Sequence, residues 1–323
     1  MKLRKILPLV LVAPLLASCG SGLKVEEPSF DAYANKVEHA AYVEALQAAM
    51  NESVFVKADK IGSLEAKVTL GRKIDYKYDG VENAPKIYMA SLEDDVLKYD
   101  SVNLILQSSR EASSESEIAG FGSSNVTNSK TVDKYQAQKD TVKEVESSVA
   151  YNLEAGTYYV QAPTVDWASE LDTMVKGQIV SQIDLLELSV SNYDTMSDEE
   201  KAKYSFYQDD KVFTVVYETS SENKMHDAGS EEKEIGKFVE KEVKKLQINL
   251  SSSNMRYVTS NVSTNSGEIT ADGKLYSEVG VLNVKAGNKI EAKQEEYKET
   301  KVEFKDVSIE KLDITKFVDE KAE

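Results

Sequence analysis

The sequence of 323 residues is poor in the residue types that most often carry catalysis and metal binding. It contains one cysteine and two histidines, and the histidines do not have the spacing of a zinc site. A single cysteine cannot form a disulfide within the chain. Only four arginines occur, and they are scattered, so no paired-arginine clamp for a phosphate group is indicated.

Positive charge is also scarce overall. The chain has 39 lysines and arginines against 56 aspartates and glutamates, for a formal net charge of −17. Such an acidic surface repels phosphate backbones, so we expect no nucleic-acid partner. A hydrophobic content of 41% is sufficient for a packed core and argues against a wholly disordered chain.

Long apolar runs are absent after residue 19, and the one apolar run before it is short. Lys2, Arg4 and Lys5 precede an apolar stretch from Ile6 to Ala17 that two prolines interrupt. The stretch is too short to span a bilayer as a helix. A basic start followed by a short apolar run is typical of an export signal.

This segment ends in Leu16-Ala17-Ser18-Cys19, which resembles the lipobox of bacterial lipoproteins. The resemblance implies that residues 1–18 are a cleaved signal peptide and that the Cys19 thiol carries a diacylglyceryl group. It also implies an exported protein of the bacterial cell envelope, anchored to a membrane, whose only cofactor-like group is the lipid on Cys19. An ordinary secretory signal with a chance cysteine is the alternative.

The rest of the chain shows no internal boundary that would leave two independent halves. We therefore predict a lipidated tether at 19–28, a single domain at 29–318 and a short tail at 319–323.

Three segments have apolar residues at the three- and four-residue spacing of a helix. They are residues 30–51, 166–190 and 231–247. In the last of these, Ile235, Phe238 and Val243 share one helical face.

Most of the remaining chain alternates between apolar and polar residues, as half-buried strands do. Leu64 to Tyr78 is the longest example. Residues 108–131 have few large apolar groups and are predicted to be a solvated loop or a long hairpin tip. Hairpin turns are predicted at Asn152–Gly156, at Asp209-Asp210, and at Ser266-Gly267, Asp272-Gly273 and Gly287-Asn288.

Together these elements predict an α+β domain with one large curved antiparallel sheet, half-barrel-like, packed against about three helices. The order of elements and the tyrosine-rich run from Ser148 to Val160 resemble envelope lipoproteins and carriers of the LolA and LppX type. That resemblance implies a hydrophobic or lipid-like ligand held between sheet and helices. It assigns no ligand-binding residue.

No catalytic or metal-binding group is predicted, and the chain is expected not to be an enzyme. His39 is expected to be a partly exposed helix residue and His226 a surface residue. Gly120–Ser124 lacks the context of a phosphate loop. Glu93-Asp94-Asp95 and Asp209-Asp210 lack the spacing of a calcium loop, and the latter fits turn chemistry.

The 17 tyrosines are the main compositional oddity. Eight of them fall on predicted strands, where they either pack across the sheet or line a cavity for an apolar ligand. These eight are Tyr76, Tyr78, Tyr151, Tyr158, Tyr159, Tyr204, Tyr207 and Tyr217.

The sequence therefore favours a non-enzymatic envelope lipoprotein that binds a hydrophobic ligand in a sheet/helix cavity. The alternative is a structural or surface-interaction lipoprotein whose interior is filled. A hydrolase with paired carboxylates is a third, weaker hypothesis. The identity of the ligand, the protein partners and the number of host membranes cannot be read from the sequence.

Overall fold

A computed structural model of the chain describes residues 23–120, 123–161, 165–251, 254–277 and 280–321. The predicted signal peptide and the predicted lipid-attachment residue Cys19 lie outside these ranges. Of the described residues, 58% are in strands and 16% are helical.

The described ranges contain long strands and short helices. The strands are β1 (Lys36–Val37), β2 (Leu64–Asp79), β3 (Lys86–Asp100), β4 (Ile105–Gly120), β5 (Ser123–Val142), β6 (Val145–Asn152), β7 (Thr157–Val160), β8 (Tyr204–Asp209), β9 (Val212–Asp227), β10 (Ser230–Leu250), β11 (Asn254–Ile269), β12 (Gly273–Ser277), β13 (Gly280–Val284), β14 (Lys289–Phe304) and β15 (Val318–Asp319). The helices are α1 (His39–Glu52), α2 (Val54–Lys57), α3 (Trp167–Val180), α4 (Leu185–Ser189) and α5 (Asp198–Lys201), with 3-10 turns at Tyr193–Thr195 and Ile314–Lys316.

Thirteen of these strands form one sheet in the order β1-β8-β9-β10-β11-β14-β2-β3-β4-β5-β6-β7-β15. Strands β2 to β7 follow one another toward one edge, and β11 back to β8 lead toward the other. Strand β14 lies between β11 and β2 and joins the two halves. Neighbours are antiparallel except β15 and β7, which are parallel. In the described residues β1 and β15 do not pair with each other, so the sheet is open.

Residues that pair across neighbouring strands lie on the same face of a sheet. Leu64, Tyr99 and Leu106 form one such row, and all three are buried in the core beneath the helices. We call this side the front face and the opposite side the back face.

The main core fills the space between the helices and the front face. Tyr42 of α1 and Leu171 of α3 are fully buried there, together with Phe213, Ile248 and Tyr257 of the sheet. Asp166 starts α3 by accepting a hydrogen bond from the Ser169 backbone N–H. A smaller apolar cluster lies at the opposite end of the strands, around the β12–β13 hairpin.

Two extended segments cross the back face. Residues 23–35, which we call the N-terminal strap, run from β4 to β8 before β1 pairs with β8. Residues 305–317, the C-terminal strap, run in the other direction. There the side chains of Gln136 and Gln138 donate to the backbone of Glu310 and Leu312.

The predicted α+β class is wrong, because the described chain is mostly β. The main cause is segment 231–247, predicted as a helix, which lies in β10. Its apolar residues do not share one face: Phe238 lies on the front and Val239 and Val243 on the back. Pairing with β9 and β11 on both sides satisfies the backbone of this segment along most of its length.

Of the two alternatives predicted for 108–131, the loop is wrong and the long hairpin is confirmed, because the described residues lie in β4 and β5, which pair antiparallel. Small hydroxyl side chains pair across these strands in place of apolar ones. The Ser114 and Ser129 hydroxyl oxygens are 2.7 Å apart, and those of Ser116 and Thr127 are 2.6 Å apart.

The other helix predictions are confirmed in part. The helix expected at 30–51 begins only at His39, because the preceding residues form the N-terminal strap and β1. The helix expected at 166–190 is divided into α3 and α4, and the Asp184 side chain starts the second by accepting from Glu187 N–H at 2.9 Å. The hairpins at Asn152–Gly156 and Asp209-Asp210 are confirmed, whereas Ser266-Gly267 lies inside β11.

Candidate functional site

The clearest concave site lies at the margin of the main core, where α1 meets α2 above the end of the sheet. We call it the main cleft. It has a volume of about 310 Å³, at the lower end of the range of about 300–1,000 Å³ for small-molecule sites. The residues that line it are Ala49, Glu52, Ser53, Val54, Phe55, Lys57, Ala58, Lys211, Leu250, Ser251, Asn254, Met255 and Phe304.

The floor of the main cleft is apolar. Leu250 and Met255 face each other across β10 and β11, and both are buried. The rings of Phe55 and Phe304 lie 5.4 Å apart, so α2 packs directly on the end of β14. These contacts hold the floor in place, because an aromatic pair at this separation is attractive beyond the area it buries.

Ser53 lies at the junction of the two helices and is one of the residues that line the cleft. Its backbone is extended (φ −63°, ψ 149°), which ends α1 and starts α2. Its backbone N–H donates to Met50 O at 3.1 Å. The Ser53 Oγ atom is buried and has no hydrogen-bond partner among the described residues. A buried hydroxyl without a partner is costly, and because the Ser53 Oγ atom is shielded from solvent it is not exposed to a ligand in the cleft.

The rim of the main cleft carries charge. Lys57 at the end of α2 and Lys211 in the β8–β9 turn are exposed, as is Glu52. The Lys211 carbonyl accepts from Leu250 N–H at 3.1 Å, which fixes the turn against the end of β10. An apolar floor below two lysines suits an anionic amphiphile, with its head at the rim and its chain on the floor.

A second concavity of about 210 Å³, the side cleft, lies between α4 and strands β8 to β10. It contains Tyr204 and Tyr217, whose rings are 4.9 Å apart. Burial raises the pKa of Tyr204 above its ordinary value. Glu187, Glu242 and Lys244 also line it, so it is more polar than the main cleft.

The tyrosines on the sheet do not converge on one cavity. Tyr76 is on the front face, whereas Tyr151 is on the back, where its ring lies 4.8 Å from Phe317 of the C-terminal strap. Of the eight, Tyr204 and Tyr217 line the side cleft, and none lines the main cleft. The other tyrosines whose contacts are described pack against neighbouring elements of the fold.

Alternation along β3 separates the three acids of Glu93-Asp94-Asp95. Asp94 faces the back and accepts from the Thr69 hydroxyl at 2.6 Å. Glu93 and Asp95 face the front beside Arg110, whose Nη2 donates to Glu93 Oε2 at 2.5 Å and whose Nε is 3.9 Å from Asp95 Oδ1. Burial, with Glu93 nearby, raises the pKa of Asp95 to about 6.

The remaining sequence candidates have structural contacts. His39 Nε2 donates to Ser189 O at 2.9 Å, and its ring lies 4.2 Å from that of Tyr193. His39 is partly exposed on α1 and His226 is exposed on β9, as expected. Asp209 accepts hydrogen bonds from the strap residue Asn35. Gly120 ends β4, and the two residues after it lie outside the described ranges.

Within the described ranges, no group of three histidine, cysteine, aspartate or glutamate side chains is placed to hold a metal ion. None of the helices found there has the length and apolar character needed to cross a membrane.

The residues of the main cleft could not have been predicted from the sequence. They come from α1, α2, the β8–β9 turn, the β10–β11 connection and β14, which the sheet topology brings together. No local motif marks them. The nearest signal was the break between α1 and α2 at Ser53, because serine is a common helix-capping residue.

Comparisons with known proteins add little to this geometry. No protein-family model matches the chain, and no curated protein matches it significantly. Among solved structures, an outer membrane channel from Pseudomonas putida F1 aligns over 76% of this chain and 98% of its own, at 8% identity and a TM-score of 0.20. The transport unit of the autotransporter AIDA-I from Escherichia coli aligns over 83% and 98%, at 8% identity and a TM-score of 0.17. Similarity at these scores carries no argument about the function of this chain.

Proposed function

We propose that this protein is a non-enzymatic lipoprotein of the bacterial envelope that binds a small lipid-like molecule in the main cleft. The lipid on Cys19 would anchor it to a membrane. The lipobox-like Leu16-Ala17-Ser18-Cys19 supports the anchor, because diacylation supplies the two chains that stable attachment needs.

The observation that carries the ligand proposal is the chemistry of the main cleft. Apolar side chains form its floor, and Lys57 and Lys211 stand at its rim. We infer an anionic amphiphile with one short chain, such as a medium-chain fatty acid, because 310 Å³ is small for a lipid with two chains.

The ligand proposal is tested with the unlipidated chain from residue 20 onward and a fluorescent medium-chain fatty acid. We expect saturable binding that Ala49→Trp abolishes, because a bulky ring on α1 would fill the main cleft. Leu186→Trp in the side cleft is the matched control and should leave binding unchanged. Equal binding by both variants, or none by the parent chain, contradicts the proposal.

The anchor is tested in cells with the full chain and its Cys19→Ser variant. We expect incorporation of labelled fatty acid into the parent and loss of both label and membrane association in the variant. A variant that remains in the membrane fraction, processed as before and not released by salt, contradicts lipid anchoring.

A second candidate is a structural or surface-interaction lipoprotein without a ligand. The packing between α1, α3 and the front face favours it, since Tyr42, Leu171 and Phe213 are almost completely buried at the centre of that layer. Absence of fatty-acid binding with normal anchoring would support this candidate over the first.

A further inference from the structure

The N-terminal strap fixes the place where the chain leaves the folded body on the side of Cys19. At its start, Leu23 N–H donates to Glu115 Oε2 at 2.7 Å, and the Tyr88 hydroxyl donates to Leu23 O at 3.4 Å. Glu115 and Tyr88 lie on β4 and β3, on the back face. The strap therefore begins on the side of the sheet opposite the helices.

Further contacts hold the strap along its length. Val25 packs against Gly71 of β2 so closely that a Cβ at Gly71 would lie 2.9 Å from Val25 Cγ1. Asp31 then exchanges backbone hydrogen bonds with the Gln247 side chain, at 2.7 and 3.0 Å. Arg256 reaches Asp31 Oδ1 at 3.1 Å and also donates to Ser29 O. The strap is thus part of the fold and not a free linker.

The short distance in sequence between the strap and Cys19 limits the position of the membrane. Four residue steps separate Cys19 from Leu23, and they span about 14 Å at full extension. A lipid on Cys19 would thus hold the start of the strap, on the back face at β3 and β4, within that distance of the membrane surface.

The distribution of charge agrees with this placement. The helical segment 166–201 on the front side carries nine carboxylates and two lysines. On the back face, by contrast, lysines alternate with acids along β2 and β14: Lys67, Lys73 and Lys77, and Lys289, Lys293 and Lys301. Several are paired, as in Lys73–Glu295 at 3.8 Å and Lys301–Glu299 at 2.8 Å.

Bacterial membranes with anionic lipids repel an acidic surface within a distance of about 10 Å at 0.1 M salt. In a chain of net charge −17, the part of the back face formed by β2 and β14 carries nearly equal numbers of lysines and acids. An anionic bilayer therefore meets less repulsion there than at the helices.

We propose, on the basis of the anchoring proposed above, that the back face of the sheet at β3–β5 is the surface apposed to the lipid bilayer. The helices and the main cleft then face away from the membrane. The strap sets this orientation because its first residue, which lies four steps from Cys19, is held on the back face.

The orientation can be measured with the full, lipidated chain in vesicles of phosphatidylethanolamine and phosphatidylglycerol. Lipidation consumes the only native thiol, so Val126→Cys and Thr173→Cys each provide one labelling site. Val126 is 59% exposed and lies on the back face of β5, opposite Glu117, whereas Thr173 is exposed on α3. Energy transfer from a dye at each position to a headgroup-labelled acceptor lipid reports its distance from the bilayer.

We expect transfer from position 126 to exceed that from position 173 at least twofold. Equal transfer, or greater transfer from position 173, overturns the proposed orientation. The double variant Gly71→Leu, Asp31→Ala should release the strap and reduce the difference, whereas Arg72→Ala on the front face should preserve it. A difference unchanged by strap release would overturn the strap as its cause.

Failure of anchoring would look different from failure of orientation. A chain that does not co-float with the vesicles contradicts the anchoring itself, and the orientation with it. A chain that co-floats but shows the reverse transfer pattern contradicts the orientation alone.

Discussion

Arg256 Nη1 lies 3.1 Å from Asp31 Oδ1, although 225 positions separate the two residues in the chain. Arg256 also donates to Glu299 Oε1 from Nε at 2.7 Å, and its side chain is only 16% exposed. Asp31 accepts a further bond from Asn249 Nδ2 at 2.7 Å. This network joins the N-terminal strap to three neighbouring strands, so its loss should affect both stability and the position of the strap.

We expect Arg256→Ala to lower the free energy of unfolding by about 2–3 kcal/mol, because it leaves partly buried carboxylates without their charged hydrogen-bond donor. Urea denaturation measures the loss. Hydrogen exchange of residues 23–35 should accelerate in the same variant.

Arg72→Ala is the matched control for this substitution. Arg72 pairs with Glu296 on the front face, but both side chains are more than half exposed. An exposed pair contributes about 0–1 kcal/mol. Equal losses of unfolding free energy in the two variants would show that the strap network contributes no more to stability than an exposed ion pair.

Asp95 should titrate with a midpoint near 6, because burial and the neighbouring Glu93 raise its pKa to about 6. The folded protein then holds this proton more tightly than the unfolded chain. The stability that Asp95 contributes is present below the unfolded pKa of about 3.8 and is lost as pH rises through about 6.

Carbon-13 NMR of the carboxyl group measures this titration directly. Glu93→Gln should lower the Asp95 midpoint by removing a negative neighbour, and Arg110→Ala should raise it. Stability of Asp95→Asn relative to the parent should rise between pH 4 and 7. A midpoint near 4 in the parent protein would contradict the expected burial.

The lysines at the rim of the main cleft should select for a negatively charged head group. We expect Lys57→Ala combined with Lys211→Ala to weaken fatty-acid binding about fivefold, since exposed charge pairs contribute about 0.2–1 kcal/mol each. Binding of the corresponding neutral alcohol should not change. Fluorescence titration of the acid and the alcohol at low and high salt measures both affinities. Equal weakening of acid binding and alcohol binding would exclude a charge effect.

Substitutions in the core beneath α3 should destabilise the protein far more than substitutions on the helix surface. Leu171→Ala removes a fully buried side chain, and we expect a loss of about 2–5 kcal/mol in the free energy of unfolding. Leu186→Ala, at a position 72% exposed on α4, should change it by less than about 0.5 kcal/mol. Thermal denaturation followed by circular dichroism compares them, and similar losses would contradict the packing.

Local sequence patterns predicted the strands with clear alternation, such as β2, and the turns at Asn152–Gly156 and Asp209-Asp210. They failed for β10, where apolar residues fall on both faces because the front supports the core and the back lies toward the strap. At β4 and β5 they left a solvated loop and a long hairpin both open, because serine and threonine pairs replace the apolar residues by which strands are usually recognised.

The candidate site was less predictable than the fold. The main cleft depends on which strand ends are neighbours, and Phe304 reaches Phe55 only because β14 crosses to the centre of the sheet. The segment that forms the strap was predicted as a lipidated tether up to residue 28 and a helix from residue 30. Its docking depends on contacts such as Asp31 to Gln247, which no local spacing reveals.

The central position of β14 has a consequence for biogenesis. Among the described residues β14 is the last long strand in chain order, and until residues 289–304 are available for pairing, both β2 and β11 have an unpaired edge. Pairing of segments as distant in sequence as β2 and β14 is slow, so the sheet stays incomplete until these two strands have paired. Unpaired edges of this length also promote aggregation, and a chain truncated before residue 289 should require a chaperone to remain in solution.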